Sequence, residues 1–579
     1  MARIREFSDI IEPTAAEEKL LENCRAGVPT VLGDGERPAG PSGARTVRAE
    51  VLRYLILGGC DDCRVDESGV HLVGAYVSGA LDLRYATAKH RIGLHRCRFE
   101  NAVQAQQLEA PLVSFQGSFL PGLDLQRANI QGDVFLRSKF HATGKVSLSG
   151  AVIGGQLECS NGRFDNASGH ALNAQAVRVT GAVFLRDGFH ATGEVSLSEA
   201  VIGGSLDCSS GRFDNASGHA LNAQAVRVTG AVFLSDGFHA TGEVSLSGAV
   251  IGGQLTCRNG RFENEKGDAL TAQTMRVKEG FIWQGVRVDT GAIDMNAASV
   301  GDLVDDMSSW PLGGRVVLDG FTYERISGGV TPTDAKTRLD WLSRGDTWNG
   351  VFFPQPYEQL AKVLGEMGHH SDRRQVLLEK ETKLAAYQLQ ENIKLRQDLR
   401  AKRDAKPAPA DHSDLCNQVG WLWFRINLIP IWTWLLRVVV GFGYAPQRAA
   451  YWAIRVITVA TLFYMATYNF GGMVPSAAVV LVSDGWQASM AAAPDMPAQH
   501  WLQTDAGLHY ERFSALAFAA DVFIPLIDFG QESTWSATTA KGAASIGFVA
   551  YWATWFIKIS GWFITALGAA AITGIIRRD

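Results

Sequence analysis

From Val146 the chain places apolar residues on every second position with one change of phase: Val146, Leu148, Ala151, Ile153, Leu157 and Cys159. Alternation with period two marks strands, whose successive side chains point to opposite faces. The same template occurs earlier, at Val70 to Leu83 and at Leu123 to Leu136, and it recurs later at Leu172, Val177, Val179, Gly181, Val183 and Leu185. A larger period overlies it. The 49-residue units His141 to Phe189 and His190 to Phe238 differ at six positions, and a third copy runs to Val286. Because the template fits twice in each unit, a unit reads as two coils, the first slightly longer than the second. A coil of roughly 25 residues holds several short strands and their corners, but hardly a strand, a helix and both connections. Such coils bury their apolar side only by stacking, so a solenoid is expected. About nine coils between residues 60 and 330, spaced about 4.8 Å apart, would make a rod on the order of 40 Å long. Gly154-Gly155, Gly203-Gly204 and Gly252-Gly253 sit where corners need positive φ or close packing.

Outside the repeats the period changes to three or four. Thr14 and Glu17 form a capping box opening a helix that ends near Gly27, and Val47, Val51, Leu52, Leu55 and Ile56 predict a second helix stopped at Gly58-Gly59. Both are expected to cap the first coil, whose open edge would otherwise recruit other chains. After Gly329, Tyr357, Leu360, Ala361, Leu364 and Met367 outline an amphipathic helix, Gly368 interrupts it, and a longer helix runs from Asp372 to about Arg403. Its end is basic. Lys394, Arg396, Arg400, Lys402, Arg403 and Lys406 precede an apolar region and are candidate contacts for anionic lipid.

Residues 449 to 470 hold one charge, Arg455, and at about 1.5 Å per residue the stretch is long enough to cross a bilayer core. The stretch 545–576 is a second span, interrupted by Lys558, with Gly561 as the expected hinge. Arg437, Arg448, Arg577 and Arg578 flank these spans, whereas residues 471 to 534 hold only Arg512, which places both termini in the cytoplasm. Residues 417–443 carry Arg425, Pro430 and Arg437 among tryptophans and read as an interfacial segment. Residues 513–531 are too short and too charged to cross. They form a re-entrant or amphipathic stretch in which Asp521 and Asp528, seven apart, share a face if helical. Ala566, Ala570 and Gly574 form a small-residue stripe suited to close helix packing, and hence to a homo-oligomer.

The expected architecture is thus multidomain: capping helices (1–59), a parallel β-helix solenoid (60–330), a helical hairpin with a basic juxtamembrane neck (331–411) and an α-helical membrane domain with two transmembrane helices (412–579). The solenoid motif resembles that of pentapeptide-repeat and other right-handed β-helix proteins, with longer coils and the insertion Asn166 to His170, and the resemblance implies a right-handed parallel β-helix. The ending Gly561 to Arg578 resembles the inner helix of two-helix ion-channel domains, without a potassium-filter sequence. The whole order, including Pro354-Gln-Pro-Tyr-Glu-Gln-Leu360, resembles an uncharacterised bacterial family of membrane-associated β-helix proteins, some labelled oxidoreductase.

Composition and chemistry narrow the functions. A net charge of −5 makes no electrostatic case for nucleic acid. There is no glycine-rich dinucleotide fingerprint, no C-x-x-C-H and no clustered ligand set, so the oxidoreductase label finds no supporting residues, and no enzyme, metal or cofactor is expected. Cys159, Cys208 and Cys257 recur with the repeat and read as buried core thiols, while Cys60 and Cys63 lack a second pair for zinc. Arg163, Arg212 and Arg261, with Asp165, Asp214 and Glu263 two residues on, read as stacked surface ion pairs. His141, His190, His239, His170 and His219 read as turn residues copied with the repeat, joined by no acidic ligand. The functional expectation is a bacterial inner-membrane protein whose cytoplasmic solenoid is a scaffold or sensor for an unidentified protein partner. It would be bound to lipid and could gate a pore in which Asp521, Asp528 and Lys558 take part. The alternative is an ion-channel-like stress or anti-phage effector.

Overall fold

The computed structural model describes residues 4–312, 315–348, 350–405 and 412–575, with the side chains of 403–405 and 412–416 outside the description. The chain forms two compact units, Met1–Arg373 and Arg374–Asp579.

The first unit is a parallel β-solenoid. Each coil contributes short strands to four stacked ladders, seen where His141 pairs with Arg163, Val146 with Leu172, Val152 with Arg178 and Leu157 with Val183. The cross-section is therefore four-sided. Eleven residues with left-handed backbone stack at one corner: Tyr85, Gln107, Arg127, Gly150, Ala176, Glu199, Ala225, Gly248, Thr274, Ala297 and Gly320. They count eleven coils rather than nine, as a spacing near 25 residues requires over this length, and the coils before the duplication are shorter: Val103 pairs with Leu123 on the same ladder where Val146 pairs with Leu172. Only three of the eleven are glycine. The others hold positive φ because each amide is committed to the next coil, as Ala176 N is to Ser198 O. The paired glycines work differently. Gly154 and Gly155 have ordinary φ, and a Cβ at either would collide with the coil beneath, at Gln131 O and Asp133.

The interior is a set of columns. Phe140, Phe164, Phe189, Phe213, Phe238 and Phe262 stack at ring separations of 5.2 to 5.3 Å, and Trp283, Trp310 and Trp341 continue the column. Each such pair is worth about 0.5–1.5 kcal/mol beyond area burial. Cys159, Cys208 and Cys257 are free and fully buried, as the repeat pattern implied, and burial holds their thiols well above the usual range. The insertion Asn166 to His170 is absorbed by a bulge within one strand, Arg163–Asn173, closed by Asn166 Nδ2 donating to His170 O.

Both ends of the stack are covered. Helix α1 (Ala15–Ala26) starts at the Thr14/Glu17 capping box and stops at Gly27, and α2 (Ala49–Ile56) stops before Gly58 and Gly59. The buried Glu17 carboxylate also accepts from Arg48 Nε and Nη2 at 2.9 and 2.8 Å. Val47, expected in the second helix, belongs instead to a strand, Thr46–Arg48, that pairs with Tyr76–Ser78. At the far end α3 (Ala335–Ser343) seats Arg338 on Asp305, both fully buried, through contacts of 2.9 and 2.7 Å. Trp310 Nε1 donates to the same carboxylate at 2.8 Å. Helix α4 (Gln355–Glu366) covers the last coil's edge, with Gln359 Nε2 donating to Tyr323 O.

The second unit is helical. The charged α5 (His370–Ala405) enters it and α6 (His412–Val440) follows, then α7 (Gln447–Asn469), α8 (Ala478–Leu481), α9 (Asp484–Ala492), α10 (Pro497–Trp501), α11 (Ala515–Phe523), α12 (Gln531–Thr534) and α13 (Ile546–Ile572). Three stretches, Asn417–Gly443, Gln447–Asn469 and Ile546–Ile572, are long and apolar enough to cross a membrane. This corrects the expectation of two. Helix α6 runs unbroken through Pro430 to Val440, although the proline removes one amide donor from its ladder. Helix α13 is likewise continuous through Gly561.

Candidate functional site

In the helical unit, α11 lies against α7 and α13. Tyr464 of α7 bonds Thr554 of α13 at 2.9 Å and packs edge-on against Phe518, with ring centroids 4.7 Å apart. Gly561 is the seat of α11, for a Cβ there would strike Phe523 O. The absence of a side chain brings two backbones together and does not make a hinge.

Asp521 is the last-turn carboxylate of α11 and is 7% exposed. Its two oxygens accept from the amides of Phe529 (2.9 Å) and Glu532 (2.8 Å), so it holds the loop 524–530 and the start of α12. Asp528 is exposed in that loop and accepts from Gly530 N. Because α11 ends at Phe523, ahead of Pro525, the two carboxylates do not share a helical face. Lys558 pairs with Glu532 at 2.7 Å. Glu532 went unnoticed in the sequence because nothing in its local pattern relates it to so distant a residue.

Ala566 and Ala570 line a groove of about 750 Å³ together with Trp432 and Leu436 of α6, while Gly574 follows the end of α13 with φ of 80°. The small-residue stripe therefore faces a groove within this unit. Of the basic neck residues, Lys394 pairs with Glu391 at 3.2 Å, Arg396 is half-buried, and Arg400 and Lys402 are exposed. Lys406 and the side chain of Arg403 lie outside the described residues.

On the solenoid, two predicted ladders merge into one. His141 Nε2 lies 2.9 Å from Asp165, which also accepts from Arg163 at 2.7 Å; His190, Asp214 and Arg212 repeat this at 2.9 and 2.6 Å. His239, Glu263 and Arg261 form the third set. His170 and His219 approach Glu194 and Glu243, both at 3.4 Å. The expectation that no acidic group joins these histidines is corrected. A partner one coil away in space is remote in sequence, so it escapes a local search. Partial burial raises the Asp165 and Asp214 carboxyls, but their arginine and histidine neighbours outweigh it and leave both below the ordinary value. Among the described residues, no group of three or more His, Cys, Asp and Glu is placed to hold a metal ion.

No known protein family, curated protein or solved structure matches the chain.

Proposed function

We propose that this protein is a membrane-anchored scaffold: a right-handed β-solenoid on the cytoplasmic side of a bacterial inner membrane that presents its outer faces to a protein partner. One observation carries the reading. Eleven coils in register stack their outward positions as straight columns, whose residues recur through the duplicated coils, and the same chain continues into helices apolar enough to cross a bilayer. Columns of this kind suit extended recognition surfaces.

In this reading α7 and α13 cross the bilayer, and α6, although it too is long and apolar enough to cross, lies at its surface. Residues 425–437 of α6 share a groove with Thr382, Gln388 and Asn392 of α5, a helix too polar to enter hydrocarbon beside it. The basic end of α5 then lies against anionic lipid. Homo-oligomerisation through Ala566 and Ala570 would require α6 to move from their groove, so a self-association surface elsewhere on α7 and α13 fits better.

A second reading, a gated pore, draws support from α11 sitting against both α7 and α13. Asp521 argues against it, since its carboxylate is taken up by backbone amides instead of facing a pathway. Full-length protein carrying photo-crosslinkers on exposed solenoid positions, in native membranes, should yield discrete protein adducts, and protease outside intact cells should spare the repeats. No adducts together with single-channel current that D521N and D528N alter would replace the scaffold with the pore.

A further inference from the structure

Two columns of arginine run along the solenoid, and they differ in their surroundings. Arg163, Arg212 and Arg261 meet a carboxylate two residues on in their own coil. Arg178, Arg227 and Arg276 are exposed, and among the described residues no carboxylate lies within ion-pair distance of them. The residues two positions after them are Thr180, Thr229 and Lys278, and those two positions before are Ala176, Ala225 and Thr274. The intervening coils place Val152, Val201 and Val250 in the same column, at 41%, 42% and 44% exposure. At those coils Gly154, Gly203 and Gly252 flank the column on one side, leaving the face flat. Along the adjoining left-handed corner, from Arg127 to Ala297, Glu199 is the one acidic residue among those described.

We infer that this column is a docking surface for an amphipathic α-helix of a partner protein that carries carboxylates at every seventh residue and apolar residues three or four positions between them. The inference rests on the scaffold reading and specifies the partner's chemistry.

Charge and spacing select this partner. Unpaired cations call for carboxylates, and exposed valines between them call for apolar contacts that exclude water. Arginines recur every second coil, about 9.6 Å apart at about 4.8 Å per coil. A heptad of α-helix advances about 10.5 Å, and its apolar position falls near the middle of that step. From Arg178 to Arg276 the column runs about 19 Å against about 21 Å for two heptads, a difference long arginine side chains can absorb. An extended strand laid along the rod repeats its face about every 6.7 Å, so it falls out of step by about 3 Å at the first arginine.

The test uses the full chain in nanodiscs of zwitterionic lipid. The probe is a synthetic four-heptad helical peptide with Glu at every first and Leu at every fourth position, compared with a permuted peptide of the same composition. The ordered peptide should bind at least tenfold more tightly than the permuted one and weaken steeply with salt. R178E/R227E/R276E and, less strongly, V152T/V201T/V250T should reduce binding at least tenfold and severalfold, with melting unchanged; R178Q/R227Q/R276Q covers the case in which charge reversal disturbs folding. E199Q should strengthen it. Equal binding of both peptides, or binding indifferent to the arginines, overturns the inference. So does a result in which the arginines govern attachment to anionic vesicles and not to the peptide. Crosslinked adducts that persist in the arginine variants would leave the scaffold standing and remove this surface; loss of adducts in wild type would remove the scaffold while the peptide result stands on its own.

Discussion

The two units each bury a carboxylate at a critical join, and they compensate it in different ways. Asp305 closes the solenoid's last coils through Arg338 and Trp310, a side-chain network with no access to water. Asp521 closes the loop after α11 through two backbone amides. A buried charge held by another charge depends wholly on that partner, because removing it leaves the remaining ion in a medium that solvates it poorly. A carboxylate held by amides is a local staple whose loss leaves neutral donors unpaired, a smaller penalty. The contrast predicts which join fails first.

The largest effect is therefore expected at Arg338. Arg338→Ala should destabilise the solenoid unit by about 3–5 kcal/mol, measured by chemical denaturation, with hydrogen exchange rising first in residues 299–326. Replacing both members, Asp305→Leu with Arg338→Met, should recover most of that loss, since an apolar pair of similar volume leaves no orphan charge. A double variant as unstable as the single would show that the cap depends on charge rather than on filled volume.

At the other join Asp521→Ala should cost about 1–3 kcal/mol and expose the amides of Phe529 and Glu532 to exchange. Asp521→Asn, which keeps one carbonyl acceptor, should cost less. A similar cost follows from adding a side chain where α11 meets α13: Gly561→Ala drives a Cβ into Phe523 O and should cost about 1–3 kcal/mol as overpacking. If Gly561 were instead a hinge, the alanine would stabilise α13.

The units differ in the same way in how far a sequence reader can see into them. In the solenoid the neighbour in space is one coil away, so the stacked core thiols Cys159, Cys208 and Cys257 follow from the repeat, and the cap over the first coil follows from the helix signals before it, whereas the far cap, α3, carries no repeat signal. What escaped was whatever has no residue-type signature: Ala176 and Ala225 hold positive φ although nothing about alanine suggests it. The four-sided coil and the His141–Asp165 contact escaped because they are set by stacking. In the helical unit apolar period predicts that α7 and α13 exist, yet not what they touch. Tyr464 meets Thr554 and Lys558 meets Glu532 across stretches of chain that no local pattern bridges. Pro430 and two arginines suggested that residues 417–443 were less regular than the helix they form.

The smallest effect separates the coils before the duplication from those within it, through pH. His95 lies 2.8 Å from Ser114 Oγ and 3.2 Å from His71, where the duplicated coils pair their histidines with carboxylates. Burial, with His71, Arg96, Arg137 and Arg91 nearby, lowers the His95 pKa to about 4. A histidine depressed in the folded state favours its neutral form there. Its contribution to stability is present above the unfolded value near 6.5 and is lost as pH falls from there toward about 4, where the dependence ends. Asp165 and Asp214, also depressed, keep their contribution above the ordinary carboxylate range and lose it only below. Lowering the pH should thus loosen the two regions in sequence: hydrogen exchange at residues 92–120 should rise between about pH 6.5 and about pH 4 while residues 163–222 stay protected. In His95→Gln the first rise should shrink to the part that His71, which burial also lowers, contributes, and if it persists unchanged the early acid step does not belong to His95.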